Sequence, residues 1–136
     1  MRTAIVLIAH GSRRAEANAE LLRLADAVRQ ERPECDVAAA FLELAEPTIP
    51  AAVAGCVERG AQRVLLFPYF LSSGLHVTRD LESFRRQFAI AHPGVEFRLA
   101  QPLGAHPAIA ALVFELLAKA DAAPVSTDGA DARQSE

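Results

Sequence analysis

The chain has 136 residues, of which 51% are hydrophobic and 23% are charged, and its formal net charge is −3. These values predict one globular domain, and without a basic stripe or an aromatic platform they argue against a protein that binds nucleic acid. The longest apolar runs are much shorter than the ~20 residues of a membrane span, and the N-terminus lacks a signal-peptide pattern. We therefore expect a cytoplasmic protein with neither a nucleic-acid nor a membrane partner.

The two cysteines, Cys35 and Cys56, lie far apart in the sequence and do not form a CxxC motif. No histidine or further cysteine lies close enough in the sequence to complete a zinc site. We interpret both as reduced thiols packed in the fold and assign them no chemistry.

Strand and helix patterns alternate along the first half of the chain. Residues 3–9, TAIVLIA, form a continuous apolar run that is typical of a strand covered on both faces. Apolar residues then recur at helical spacing from Arg13 to about Glu31. The second pair consists of a strand over 36–44 and a helix that Gly60 ends.

The alternation continues through the second half. RVLLF forms the third strand, which we expect to end at Pro68 because proline cannot donate a hydrogen bond to a neighbouring strand. A loop with the sequence PYFLSSGLH follows, then a helix, and VEFRLA is the fourth strand. The last two helices are indicated by apolar stripes, which are Leu81, Phe84 and Phe88 in one and Ile109, Leu112, Val113, Leu116 and Leu117 in the other.

After Lys119 the composition becomes small and polar, without a bulky apolar stripe. We predict a single α/β domain over residues 1–120 and a disordered C-terminal tail over 121–136.

The four strand–helix pairs predict an α/β fold with a doubly wound, parallel, four-stranded sheet flanked by helices. Such sheets bind ligands beyond the carboxyl ends of their strands. The segments that follow the strands are therefore expected on one rim, and they contain His10, Glu43, Ser72–His76 and Gln101–His106.

His10, Glu43 and His76 are the candidate metal ligands on this rim. Imidazole and carboxylate groups suit Co²⁺, Fe²⁺, Ni²⁺ or Zn²⁺, and two or three protein ligands leave positions open for exchange. Each residue also has an ordinary interpretation, as a structural histidine or a solvated acid at a strand end. We prefer Glu43 to Glu46 as the ligand because Glu46, beside Pro47, suits a charge at a helix start.

Arg13, Arg14 and Arg79 are candidate substrate-binding residues. Cations near a helix N-terminus oppose the helix dipole, and such a cost often accompanies function. Their guanidinium groups can bind carboxylates of an anionic substrate in a bidentate manner. The alternative, that they extend into solvent, stays open.

Several motifs together resemble those of the small class II tetrapyrrole chelatases, the CbiX/SirB-type sirohydrochlorin cobaltochelatases and ferrochelatases. They are LIAHGSR on the first strand, FLELAEPTI on the second, PYFLSSGLHVTRDL after the third and LGAHP before the last helix. The resemblance covers about residues 3–118 in the same order and spacing. HGS alone is a weak signal, whereas HGSR, LELAEP and GxHxxxD in sequence are specific.

The resemblance implies ATP-independent insertion of a divalent metal into sirohydrochlorin, for cobalamin or siroheme biosynthesis. The expected metal substrate is Co²⁺ or Fe²⁺, with Ni²⁺ as a further option, and no organic cofactor is expected. The metal and catalytic positions of the family fall on His10, Glu43 and His76, with both histidines catalytic. The resemblance also implies a homodimer.

The loop residues Ser72, Ser73 and Gly74 are expected to shape the floor of the substrate pocket, with Gly74 permitting close backbone approach. The alternative for Gly74 is an ordinary glycine at a helix start. Whether His106 contacts the substrate is left open.

Two other functions use the same residues. A non-catalytic carrier of metal or tetrapyrrole would need the same ligands. A histidine phosphatase would carry an arginine immediately before its reactive histidine, and here Ala9 stands before His10, so this alternative lacks the phosphate-binding cation.

Overall fold

The computed structural model describes residues 1–72 and 74–125. Within these residues four strands alternate with four helices, as the sequence predicts. In chain order the elements are β1 (Thr3–Ala9), α1 (Ala15–Glu31), β2 (Asp36–Phe41), α2 (Ile49–Glu58), β3 (Arg63–Pro68), α3 (Leu75–Ala91), β4 (Glu96–Leu99), a 3₁₀ turn (Leu103–Ala105) and α4 (Ala108–Ala122).

The strands form one parallel sheet in the order β2-β1-β3-β4. Ile8 in β1 pairs with Ala40 in β2 and with Pro68 in β3, so these three strands end at the same edge. The doubly wound parallel sheet predicted from the sequence is confirmed. Strand order switches direction beside β1, which is where such folds open a crevice for ligands.

The sheet has an apolar core on each face. On one face α2 and α3 pack against alternate residues of β1 and β3, with Ile8 and Leu66 fully buried. On the other face α1 contributes Leu21 and Ala25. Successive side chains of a strand point to opposite faces, so the unbroken apolar run of β1 serves both cores.

A wide apolar groove remains beside α1 on its face of the sheet. Its volume is about 570 Å³. Its lining is mainly apolar and comprises Ile5, Leu7, Leu24, Val28, Glu31, Arg32, Leu65, Phe67, Arg98, Leu99 and Ala100.

Two strand ends differ from the prediction. Pro68 pairs within β3, whereas we expected the strand RVLLF to leave the sheet at this proline. The proline is tolerated because β4 pairs with β3 only as far as Leu66, so at Pro68 the strand has a neighbour on one side alone. β2 ends at Phe41 rather than at residue 44, and Leu44 has a positive φ of 63° that no strand residue adopts.

Helix ends follow local signals. The Thr48 hydroxyl accepts a hydrogen bond from the backbone N–H of Ala51 at 3.3 Å and caps α2, so the cap comes from Thr48 and not from Glu46, which lies two residues earlier. α2 ends just before Gly60, whose φ of +100° suits glycine.

The chain divides into two compact units, one over Met1–Ala105 and one that begins at His106. In the second unit α4 has no buried residue, and Glu115 and Lys119 form an ion pair at 3.4 Å.

α4 ends at Ala122, slightly beyond the predicted start of the tail. Residues 126–136, which hold most of that tail, lie outside the described residues. Among the helices that are described, none is long and apolar enough to cross a membrane.

Candidate active site

The ends of β1 and β2 bring His10 and Glu43 together, as the sequence predicts. The loops continue to pair beyond the strands, because the backbone N–H of Leu42 donates to the carbonyl oxygen of Ala9 and that of Glu43 to the carbonyl oxygen of His10, both at 3.0 Å. Two groups with metal-binding chemistry are thereby held side by side on adjacent strands.

The imidazole of His10 is supported by an aromatic ring. Its centroid lies 4.3 Å from that of Phe70, with the two rings tilted by 39°. Phe70 is buried beneath the exposed histidine, and its backbone segment is anchored where the N–H of Tyr69 donates to the carbonyl oxygen of Ile8 at 2.7 Å. This contact limits the orientations of the His10 ring without using either ring nitrogen.

A cavity of about 430 Å³ opens in front of His10 and Glu43. One wall comes from these strand ends and the opposite wall from α3. The described residues that line it are His10, Leu42, Glu43, Val77, Asp80, Ser83, Phe84 and Gln87. Asp80 is a charged member of this lining that the sequence analysis did not single out, although it is the last residue of the GxHxxxD motif.

His76 lies in the first turn of α3 and is exposed, and it is not part of the cavity lining. Among the described residues no three His, Cys, Asp or Glu side chains are close enough to hold one metal ion. The structure thus brings His10 and Glu43 together on one cavity. The assignment of His76 as the third ligand stays a prediction. Four residues separate His76 from Asp80, so both lie on one side of α3.

The candidate arginines are all exposed. α1 begins at Ala15, so Arg13 and Arg14 precede the helix rather than occupy its first turn, and Arg14 stands at the N-cap position. The backbone N–H of Arg14 donates to the hydroxyl oxygen of Ser12 at 3.0 Å. Arg79 lies in the second turn of α3. Their binding role stays a prediction.

The loop before α3 is described on both sides of Ser73, which lies outside the described residues. Ser72 is exposed, and Gly74 is the N-cap residue of α3 with a φ of −64°. A Cβ on Gly74 would meet no described atom within 4 Å. The described surroundings therefore do not require glycine at this position, and a role in binding would have to come from a ligand.

A smaller cavity of about 240 Å³ lies on the other side of His10. Its wall includes Ser12 and Asn18, which connect the loop after β1 to α1 by two hydrogen bonds. The Ser12 N–H donates to Asn18 Oδ1 at 2.9 Å, and Asn18 Nδ2 donates to the Ser12 carbonyl oxygen at 2.8 Å. The histidine therefore forms part of the wall of two adjacent cavities.

The cysteines lie away from these cavities. Burial raises the pKa of the Cys56 thiol to about 11, and the nearby Asp36 carboxylate adds to this shift. Both thiols are free, as expected, and Cys35 is partly exposed.

Comparison with known proteins supports the family resemblance that the sequence motifs indicate. The family model for CbiX matches residues 4–120. The chain belongs to the CbiX family. It is 36% identical over 102 residues, or 75% of its length, to a chloroplastic sirohydrochlorin ferrochelatase of Arabidopsis thaliana, and 41% identical over 78 residues, or 57% of its length, to a sirohydrochlorin cobaltochelatase of Methanocaldococcus jannaschii. The matches cover 45% and 54% of those proteins, so the chain spans about half the length of these relatives.

Solved structures of CbiX and SirB proteins share the fold. A CbiX protein of Marinobacter aquaeolei superposes with a TM-score of 0.75 and 28% identity, over 86% of this chain and 95% of that one. SirB of Bacillus subtilis subspecies spizizenii, solved in complex with cobalt, gives a TM-score of 0.78 and 25% identity, over 88% of this chain and 51% of SirB. This chain therefore shares its fold with about half of the SirB chain.

Proposed function

We propose that this CbiX chain inserts a divalent metal, Co²⁺ or Fe²⁺, into sirohydrochlorin without ATP, in cobalamin or siroheme biosynthesis. The observation that carries the proposal is the open cavity in which an imidazole and a carboxylate from adjacent strand ends face solvent. Relatives named sirohydrochlorin ferrochelatase and sirohydrochlorin cobaltochelatase match this chain at 36% and 41% identity, which supports the same reaction. No organic cofactor is needed for this reaction.

The metal must be held loosely enough to be transferred to the macrocycle. Two ligands, His10 and Glu43, leave several coordination positions for water or for the pyrrole nitrogens of the incoming ring. His76 from α3 is proposed as the third ligand. A closed set of four protein ligands would instead trap the metal in the protein.

Metal insertion releases two protons from pyrrole nitrogens. A neutral imidazole that is not coordinating the metal can accept such a proton, and His10 and His76 are the candidate acceptors. The exposure of both side chains allows the accepted protons to pass to solvent. The tilted contact of His10 with Phe70 uses neither ring nitrogen, so both stay available for this exchange.

Sirohydrochlorin carries several carboxylates around its ring, so its binding requires cations at the periphery. We propose Arg13, Arg14 and Arg79 for this role, because each is exposed near the strand-end rim. The loop residues Ser72, Ser73 and Gly74 are proposed to contact the ring between these cations.

We further propose that the enzyme is a cytoplasmic homodimer. α4 exposes bulky apolar side chains, with Phe114 68% and Leu117 60% exposed, and has no buried residue. A helix with such a surface is stable in water only when another surface covers it, and a second copy of the chain is the occupant we propose. The free Cys35 and Cys56 thiols suit a reducing compartment.

The decisive experiment mixes the purified protein with sirohydrochlorin and Co²⁺ or Fe²⁺ in the absence of ATP and follows the absorbance of the pigment. We expect metallation to be much faster than in a reaction without protein. Binding of metal and pigment with no acceleration would identify a carrier instead, and phosphate release from phosphorylated compounds would favour the phosphatase alternative.

A further inference from the structure

Asp80 has no role in the ligand set His10, Glu43 and His76, yet it lies on the cavity that His10 and Glu43 share. It belongs to α3, on the wall opposite the strand ends. The other α3 residues of this wall are uncharged, and they are Val77, Ser83, Phe84 and Gln87.

The Asp80 side chain is exposed. It makes no hydrogen bond or ion pair with another residue of the described chain. Glu82 on the same helix is different, because Arg85 donates to it and Arg86 lies nearby, and these contacts lower the pKa of Glu82. Asp80 therefore presents a free negative charge to the cavity, whereas the charge of Glu82 is already balanced.

The charge of the cavity favours a cation over the macrocycle's carboxylates. Among the described residues, its lining contains two carboxylates, Glu43 and Asp80, and no lysine or arginine. An anionic side chain of the tetrapyrrole would be repelled here, while a divalent cation is attracted to both walls.

The size of the cavity favours a cation that keeps its water. Six waters at roughly 30 Å³ each occupy about 180 Å³, which fits within the cavity of about 430 Å³. Within the described part of the chain no three acidic, histidine or cysteine side chains come close enough to ligate a bare ion. Water-mediated hydrogen bonds can join a carboxylate to a hydrated ion at little cost in energy.

We propose that Asp80 captures the hydrated metal substrate by accepting hydrogen bonds from its water shell and holds the ion in front of His10 and Glu43 before insertion. The proposal rests on the function proposed above and adds a residue that acts on the metal alone. Because Asp80 acts through water, it is a positioning residue and does not take part in the proton transfers.

The test measures metal binding and catalysis separately in Asp80→Asn, which keeps the side-chain shape and removes the charge. We expect the Kd for Co²⁺, measured by calorimetry on the protein alone at low ionic strength, to rise about tenfold, the scale of one charge acting on a divalent ion several ångströms away in water. The KM for Co²⁺ should rise in parallel, while the KM for sirohydrochlorin and the kcat at saturating Co²⁺ change less than twofold. Added salt should reduce the difference from the wild type.

Asp80→Glu should restore most of the affinity, and Glu58→Gln is the matched control, because Glu58 is an exposed acid at the end of α2. Asp80→Ser repeats the measurement if the asparagine variant fails to fold. An unchanged Kd for Co²⁺, or a loss of kcat at saturating metal, would overturn the proposal. If the wild type binds Co²⁺ through Asp80 but does not metallate sirohydrochlorin, the chelatase function fails and the role of Asp80 stands.

Discussion

Gly11 and Glu43 approach so closely that a side chain on the glycine has no room. A Cβ built on Gly11 would lie 1.8 Å from the carbonyl oxygen of Glu43, and Gly11 has a φ of +93°. The glycine therefore allows the loop after β1 to lie against the loop after β2, where the backbone N–H of Glu43 donates to the carbonyl oxygen of His10.

Replacing Gly11 with alanine should damage both the fold and the site. The positive φ and the contact with Glu43 predict a loss of about 2 kcal/mol in the free energy of unfolding, measured by denaturant titration, and a strongly reduced rate of metal insertion. Gly94→Ala is the control, because a Cβ there meets no described atom within 4 Å and should change stability by less than about 0.5 kcal/mol. Wild-type stability and activity in Gly11→Ala would contradict this account.

The two proposed catalytic histidines should be indispensable. We expect His10→Ala and His76→Ala each to lower the insertion rate at least ~100-fold with folding retained, as for the loss of a positioned acid–base group. The double variant should be little worse than either single one, because groups that act as a unit are not additive. Glu43→Gln should weaken metal binding less severely than the loss of either histidine, because an amide oxygen can still coordinate a metal without the charge.

His92→Ala is the control for the histidine variants, since His92 lies at the other end of α3 and its ring lies 6.2 Å from that of Phe97, tilted by 41°. Its insertion rate should stay near that of the wild type. Near-normal rates in both His10→Ala and His76→Ala would refute the metal site and leave His10 as a structural histidine at a strand end.

The arginines should affect binding of the pigment more than its metallation. Changing Arg13, Arg14 and Arg79 to glutamine should raise the KM for sirohydrochlorin more than it lowers kcat, because contacts to peripheral carboxylates are made equally in the ground and transition states. Arg23→Gln, on an exposed part of α1, should leave the KM unchanged. Unaltered kinetics in the triple variant would show that the three side chains only extend into solvent.

The two thiols should differ in reactivity. With the pKa of Cys56 raised to about 11 by burial, only about one thiol in a thousand is ionised at pH 8, so Cys56 should react with a disulfide reagent only after unfolding. Cys35 is partly exposed and should react in the native protein. Cys35→Ser should abolish the fast phase, and a fast phase that persisted in this variant would contradict the buried position of Cys56.

The same shift predicts a change of stability with pH. Because burial raises the pKa of Cys56 above its ordinary value of 9.0 in the folded state, the thiol ionises first in the unfolded chain. Its contribution to stability is therefore complete below pH 9 and is lost as the pH rises towards 11. Cys56→Ala should lose less stability than the wild type across this range in thermal unfolding experiments.

The apolar surface of α4 should be required for assembly. We expect the wild type to sediment as a dimer at micromolar concentration and Phe114→Glu combined with Leu117→Glu to sediment as a monomer, because charge on a buried interface is costly. Lys119→Gln should remain a dimer. A fully active wild-type monomer would rule out the homodimer.

Much of the candidate site could be predicted because strand ends are local features. One apolar run stops at His10 and another stops near Glu43. Because the two strands are parallel, their ends lie at the same edge of the sheet, and both residues are therefore on one rim. Asp80 was missed because a lone acid on a helix resembles any solvated residue. Its spacing of four residues from His76 was the available signal.

The sequence by itself determined the alternation of strands and helices, the parallel sheet and the two residues on neighbouring strand ends. These depend on the spacing of apolar residues and on turn residues such as Gly60, which act within a few residues of chain. Only the tertiary structure decided the strand order β2-β1-β3-β4, the place of Pro68 within β3 and the position of Asp80 across the cavity. Each of these depends on which distant segments become neighbours, and packing of the whole sheet sets that choice.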